Sequence, residues 1–129
     1  MNKIYNFFKK MLPVVAAVVL YCTTLSAVAQ NVTISGDRSG SFNTLTEAWD
    51  YVSGPGGGPG IATITITLHS DQTISRELHV NWTRNITLRS DATTRTITQT
   101  GADKRHFLVN GIMHFENVII QGGGGVDGV

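Results

Sequence analysis

Ten of the eleven charged side chains between residues 71 and 116 are the first candidates for chemistry in this chain. Paired carboxylates can bind calcium, or act as general acid and base in the cleavage of polysaccharides. Here the charges are scattered, and no carboxylate pair repeats at a constant spacing. We therefore predict a solvated strand face or turn for each of them, and no catalytic residue. The ten are Asp71, Arg76, Glu77, Arg84, Arg89, Asp91, Asp103, Lys104, Arg105 and Glu116.

Histidines and one glycine-rich segment raise the question of a metal site. The histidines stand singly, without a recognisable ligand set, so outward, hydrogen-bonded side chains are expected. Residues 122–129 fit one copy of the calcium nonapeptide G-G-x-G-x-D-x-U-x. The ion of a calcium β-roll lies between consecutive turns, so a single copy is insufficient. We predict neither a metal ion nor a cofactor. The histidines are His69, His79, His106 and His114.

Trp82 and three glycosylation sequons suggest carbohydrate chemistry. An outward Trp82 would stack on a sugar, but its place between Val80 and Ile86 favours core packing instead. Sequons carry glycans only in a eukaryotic secretory route, and the short, Lys-led N-terminus is bacterial in character. We therefore predict a buried Trp82 and no glycans. The sequons begin at Asn31, Asn81 and Asn85.

The N-terminal segment, residues 1–29, has the features of a signal peptide. Three lysines precede an uncharged apolar run at residues 11–22, and Ala27-Val28-Ala29 supplies a cleavage site. The run of 12 residues is short of the roughly 20 that a membrane-spanning helix needs, which makes a retained anchor the lesser alternative. Tyr21 stands before Cys22 where lipoprotein signals have a small residue, so lipidation is rejected. We predict cleavage after Ala29 and a secreted or outer cell-surface location.

Cleavage would leave 100 residues whose composition excludes several classes of protein. Seven basic and nine acidic residues remain, giving 7 − 9 = −2, so a basic nucleic-acid-binding surface is not expected. The only Cys is removed with the leader, which excludes disulfides. The mature chain is long enough for one domain at most.

Apolar periodicity predicts one helix and a series of strands. Residues 44–52 place Leu45, Ala48, Trp49 and Val52 on one stripe, with capping-box spacing from Thr44 and a C-terminal glycine cap. A Gly/Pro loop follows at residues 54–60. Alternation of apolar residues with Thr then predicts a largely all-β remainder. After a first short strand at residues 32–34, we expect strands at 62–68, 73–80, 85–89, 94–100, 106–110, 112–116 and 118–121.

An internal echo indicates that these strands stack as successive coils. Residues 80–82 are echoed by residues 113–115, and residues 85–88 by residues 117–120. Self-similarity at such a distance along the chain is typical of a β-solenoid. Asn110-Gly111 is a strong type I′ hairpin signal, which keeps a meander or sandwich as an alternative.

The order of these elements resembles a known family. The capping helix FNTLTEAW at residues 42–49 and the strand FENVIIQGG at residues 115–123 are similar to the N-terminal part of right-handed parallel β-helix proteins. These belong to the pectate-lyase-like superfamily, and the closest likeness is to bacterial surface proteins of adhesin type. The resemblance covers residues 32–125 and implies stacking of turn asparagines, here Asn85 on Asn117. An ordinary surface Asn in a turn is the equally weighted alternative for each of them.

The resemblance implies three regions: a signal peptide at 1–29, a strand, capping helix and loop at 30–60, and incomplete first coils at 61–129. We expect Met113, Phe115, Val118 and Ile120 to face the core, and the C-terminal coil to be truncated. The partners of the protein would then be the remainder of a longer chain, a second copy stacked end to end, or an unknown surface ligand or polysaccharide.

Three functions remain open from the sequence. The first is an exported, non-catalytic, adhesin-like scaffold. The second is the N-terminal fragment of a pectin lyase- or esterase-like enzyme whose catalytic coils are missing. The third is a purely structural module. The resemblance specifies fold better than activity.

Overall fold

The computed structural model of the chain describes residues 30–54 and 62–123. The predicted signal peptide, most of the Gly/Pro loop and residues 124–129 lie outside the described residues. Strands predominate in the described part, accompanied by one short helix. In chain order the elements are β1 (Val32–Gly36), β2 (Gly40–Phe42), α1 (Leu45–Ser53), β3 (Ala62–Leu68), β4 (Gln72–Ile74), β5 (Leu78–Val80), β6 (Arg84–Ser90), β7 (Arg95–Gln99), β8 (Phe107–Val109), β9 (Ile112–Glu116) and β10 (Val118–Gly122).

These strands form three open sheets of five, three and two strands. The five-stranded sheet has the order β2-β1-β3-β6-β9, the three-stranded sheet β10-β7-β4, and the two-stranded sheet β5-β8. Each strand from β6 to β10 pairs in parallel with the strand three places before it in the chain. The pairings of β1 with β2 and with β3 are antiparallel. The described strands are thus parallel in part and antiparallel in part.

Three layers can be defined from this pairing. The first layer is β3 to β5, the second is β6 to β8, and the third is β9 and β10. Ala62 pairs with Arg84, Leu78 with Phe107, and Asn85 with Ile112. The members of each pair are closer together in the sequence than the two copies of the echo are. The echo therefore does not give the spacing between layers.

Alternation along each strand builds the core between the sheets. In β6 the inward Ile86 and Leu88 are buried, whereas Asn85 and Thr87 on the other face are partly exposed. Because the layers are in register, inward side chains form columns that run from one layer to the next. Leu88, for example, lies between Ile66 of β3 and Phe115 of β9. Burial of these β-branched and aliphatic columns is the main stabilising contribution.

Helix α1 packs against β1, β2, β4 and β5 through the apolar stripe that the sequence predicts. Thr44 is the N-cap, and its Oγ1 accepts a hydrogen bond from the Glu47 amide at 3.2 Å. The Glu47 carboxylate accepts from the amide of Asn43 rather than of Thr44, at 3.2 Å. Gln72 Oε1 in β4 accepts from the Leu45 amide at 2.8 Å, which ties the helix N-terminus to the first layer.

The C-terminus of α1 differs from the predicted glycine cap. Gly54 has φ −63° and ψ 160°, an extended rather than left-handed conformation. Two arginines from other elements satisfy the last carbonyl groups instead. Arg38 donates to the carbonyls of Tyr51 and Gly54, and the Nε of Arg84 donates to the carbonyl of Val52 at 3.4 Å. Cations at this end also complement the helix dipole.

One strand prediction fails, and one strand was missed. The segment expected as one strand at residues 73–80 is divided into β4 and β5, which belong to different sheets. Ser75, Arg76 and Glu77 are three consecutive polar residues that interrupt the apolar alternation at this corner. Gly101 of the next layer packs closely on the Ser75 carbonyl, where a Cβ would not fit. The chain also forms β2, which the sequence reasoning missed.

The hairpin signal at Asn110-Gly111, which kept a meander or sandwich as an alternative, does not correspond to a hairpin in the structure. It would join β8 to β9, but these strands lie in different sheets and pair with β5 and β6 respectively. Among the residues described, no helix is both long and apolar enough to cross a membrane.

Candidate functional site

Asp91 is at the centre of the best-formed polar cluster. It follows β6, and Arg95 at the start of β7 donates from Nε and Nη2 to its two carboxylate oxygens, each at 3.2 Å. These bonds, together with the Thr93 backbone amide, lower the pKa of Asp91. His69 Nδ1 lies 3.4 Å from the same carboxylate, and its Nε2 is 3.0 Å from the Thr33 hydroxyl. The cluster thus links β1 with the segments that follow β3 and β6.

Glu77 organises a second cluster at the corner before β5. Its carboxylate lies 3.0 Å from His79 Nε2 and 2.9 Å from Arg105 Nε, which donates to it. Arg105 precedes β8, so this pair joins the first and second layers. A separate ion pair connects Arg76 with Asp50 on α1. Each of these groups contains one carboxylate that is already bound to a cation, so none of them offers the carboxylate pair that acid–base chemistry requires.

The remaining charged candidates are not brought together. The Asp71 carboxylate accepts from the Thr96 amide at 2.8 Å, and Arg89 donates to the Thr67 hydroxyl at 3.1 Å. Arg84 is buried, so the prediction of a solvated position for it was wrong. Exposed positions are found for Asp103, Lys104 and Glu116.

The histidines lie apart from one another. His106 Nε2 is 2.8 Å from the carbonyl oxygen of Gln121, and His114 is exposed on β9. In residues 30–54 and 62–123, no group of three or more His, Cys, Asp or Glu side chains could hold a metal ion. Of the calcium nonapeptide, only Gly122 and Gly123 fall within the described residues, so the structure bears on none of its carboxylate ligands.

The predicted stack of Asn85 on Asn117 is wrong. Asn85 lies inside β6 and pairs with Ile112, whereas Asn117 occupies the bend between β9 and β10 with φ 54°. The Asn117 carbonyl accepts hydrogen bonds from the Ser90 hydroxyl and, at 3.3 Å, from the Arg95 amide. Asn117 therefore acts singly, as a residue that tolerates a left-handed turn.

Trp82, predicted to be buried, is the most exposed large apolar side chain of the described residues, at 77%. It lies at the tip of the turn between β5 and β6. The prediction failed because apolar neighbours in the sequence, Val80 and Ile86, were taken to fix its direction. The flanking Asn81 and Thr83 are turn-forming residues, and they were the signal for an outward tip.

A second apolar feature is the outer edge formed by β8 of the second layer and by the two strands of the third layer. Five of the seven exposed large apolar residues among those described belong to β8, β9 and β10. Met113 and Val118 are partly buried against the core, as expected, but Phe115 is 47% and Ile120 42% exposed. Their register is inward, opposite Leu88 and Ile97, yet no described layer covers them. The five are Val109, Ile112, Phe115, Ile119 and Ile120.

No protein-family model, curated protein or solved structure matches the chain. The arrangement of its own residues must therefore carry any functional argument. Its main features are the two ion-paired clusters around Asp91 and Glu77 and two exposed apolar features.

Proposed function

We propose that this chain is an exported, non-catalytic scaffold of the extracellular space or outer cell surface, adhesin-like in use. We further propose that its layers are the first coils of a right-handed parallel β-helix, with α1 as the cap at one end. The observation that carries the proposal is the pairing of every strand from β6 to β10 with the strand three places earlier. Such pairing is how a solenoid repeats.

The position of α1 supports the capping role. Solenoids need a cover over the first coil, because its core would otherwise be open to water and its strand edges open to pairing. The buried Trp49 lies against the first layer, where its indole Nε1 donates to the His79 carbonyl at 3.0 Å. Its ring also packs against that of Phe107 in the second layer, with 5.5 Å between centroids.

A scaffold role is supported by how the charged side chains are used. Asp91 binds Arg95 across the corner between β6 and β7, and Glu77 binds Arg105 from the next layer, so both carboxylates fix corners rather than expose reactive groups. The outward columns of the five-stranded sheet carry hydroxyl and amide groups, such as Thr65 beside Thr87. A polar, regular surface of this kind suits the recognition of an extended ligand, for which a surface ligand or a polysaccharide is the proposed partner.

The open edge of the third layer supports stacking as part of the proposal. Phe115 and Ile120 face inward, and no strand of residues 30–54 and 62–123 pairs with the outer edges of β8 to β10, so a further coil could cover both. That coil would come from more of the same chain or from a second copy placed end to end.

Secretion and polymer cleavage, measured together, test the proposed function. We expect a bacterial host to export the chain, with an intact mass that corresponds to cleavage after Ala29. The secreted protein should leave the reducing ends and the viscosity of pectin and other polysaccharides unchanged, with or without calcium. Retention of the full precursor in the cytoplasm would contradict export. Turnover abolished by changing one charged residue would instead support the alternative, a fragment of a polysaccharide-processing enzyme.

A further inference from the structure

We infer that the turn formed by residues 81–83 binds the pyranose rings of a neutral polysaccharide, with Trp82 as the stacking surface. The inference rests on the proposed surface scaffold and names the chemistry by which that scaffold would hold its ligand.

The two tryptophans of the chain are used in opposite ways. Trp49 is 2% exposed and its indole N–H is hydrogen-bonded inside the fold, whereas Trp82 is 77% exposed. The face of an indole ring is flat, apolar and electron-rich. The C–H groups on one face of a pyranose ring are complementary to such a surface in both shape and charge. Trp82 thus presents to solvent the group that a sugar ring requires.

The turn stands out from the neighbouring layer. Val80 pairs with Val109, and Asn85 pairs with Ile112. The segment 81–84 separates Val80 from Asn85, but only Asn110 and Gly111 separate Val109 from Ile112. The turn is therefore longer than its counterpart in the next layer, and Trp82 at its tip is 77% exposed. A polymer chain can therefore reach the Trp82 ring from solvent.

Several hydrogen bonds fix the turn in place. Asn81 Oδ1 accepts from the amide and the hydroxyl of Thr83, at 3.3 and 3.1 Å. The Arg84 amide donates to the Asn81 carbonyl, and the Ala62 amide donates to the Thr83 carbonyl, both at 3.0 Å. A binding residue on a rigid turn loses little conformational entropy when it engages a ligand.

The groups that surround Trp82 favour neutral rather than acidic sugars. The side chains of Asn81 and Asn110 are exposed on the two adjacent turns, and amides both donate to and accept from sugar hydroxyls. The nearest cation in the sequence, Arg84, is buried and donates to the Val52 carbonyl of α1. Carboxylated polymers would find no exposed cation in either turn.

Intrinsic fluorescence of the secreted chain provides the test, because only Trp82 of the two tryptophans is accessible. Soluble hydroxyethyl cellulose and a neutral xylan should shift the emission to shorter wavelength and protect it from acrylamide, while polygalacturonate should not. The same neutral polymers should retard the protein in affinity electrophoresis. Trp82→Leu, which keeps an apolar side chain but removes the flat ring, should weaken retardation at least about tenfold. Trp82→Phe should retain part of it, and Ile119→Ala, an exposed apolar control on β10, should leave it unchanged.

Each other result would overturn the inference. If neutral polymers leave emission and migration unchanged, or if polygalacturonate binds at least as well, the turn is not a neutral-sugar site. If protection of Trp82 from acrylamide rises with protein concentration in the absence of polymer, Trp82 lies in a contact between copies instead. Unaltered thermal unfolding of Trp82→Leu verifies that the variant folds. Recovery of the precursor from the cytoplasm would defeat the proposed surface role while leaving polymer binding by Trp82 measurable.

Discussion

The second and third layers contain equivalent inward positions, yet only the second is buried. Leu88 in β6 has no exposed surface, while Phe115, its partner in β9, is 47% exposed. Ile97 and Ile120 show the same contrast between β7 and β10. Register and apolar character are alike in the two layers. The difference is that Leu88 lies between two layers, whereas only one described layer packs against Phe115.

This contrast teaches that alternation determines the direction of a side chain but not its burial. Direction follows from the period of two along a strand, which is a local property. Burial requires a second surface at van der Waals distance, which is a property of the stack. The contribution of each layer to stability should therefore fall towards the edge at β8 to β10.

Truncation of Leu88 and Phe115 tests the contrast directly and has the largest expected effect. Leu88→Ala should lower the free energy of unfolding by about 2–5 kcal/mol, because it leaves a cavity in a closed core. Phe115→Ala should lower it by roughly half of the 3–5 kcal/mol typical of a buried Phe. Urea unfolding of the mature chain, followed by far-UV circular dichroism, measures both.

Protein concentration is the control for this pair. If Phe115→Ala costs the full value for a buried Phe, and the loss disappears on dilution, a second copy covers the third layer. If the full cost persists at every concentration, burial of Phe115 within one chain would contradict the exposed edge.

Much of the fold could be predicted from local pattern. The stripe of Leu45, Trp49 and Val52 predicts α1, and alternation predicts β3, β6, β9 and β10 within about two residues at each end. The corner between β4 and β5 was missed, although the polar residues Ser75 to Glu77 interrupt the alternation there. The parallel pairing is non-local, and the sequence echo does not give its spacing.

Close contact between successive turns provides the second prediction. A Cβ at Gly111 would lie within 3.0 Å of the carbonyl oxygens of Asn81 and Arg84, which belong to the backbone and cannot rotate away. Gly111→Ala should therefore cost about 1–3 kcal/mol. Gly54→Ala is the matched control, since a Cβ there comes no closer than 3.3 Å to the Asp50 carbonyl. Its effect should stay below about 1 kcal/mol. Equal effects in thermal unfolding would show that the turns separate easily.

The candidate site was less predictable than the fold. The spacing of the carboxylates in the sequence predicted that they are scattered. The outward direction of Trp82, in contrast, depends on the additional length of its turn. That length becomes visible only when Val80 and Asn85 are aligned with their partners in the next layer. The same alignment shows that Asn85 does not pair with Asn117. The predictions for Trp82 and for the asparagine stack were therefore both wrong because the register between layers was unknown.

A pH dependence of the Asp91 cluster is the smallest effect expected. Arg95 and the Thr93 amide lower the pKa of Asp91 in the folded chain. The unfolded value is about 3.9, so the folded state binds the Asp91 proton less readily than the unfolded state. The stabilisation is thus fully present above that value and is lost as pH falls through the lower, folded pKa. Asp91→Asn should be less stable than the wild type at pH 7, and the difference should shrink as pH falls below about 4. Arg95→Met should lower the free energy of unfolding by a similar amount at pH 7. The double variant should be little less stable than either single variant, because both substitutions remove the same interaction. Chemical unfolding at steps from pH 7 to pH 3 measures this, and a difference that stays constant over that range would show that Asp91 does not link β6 to β7 through its charge.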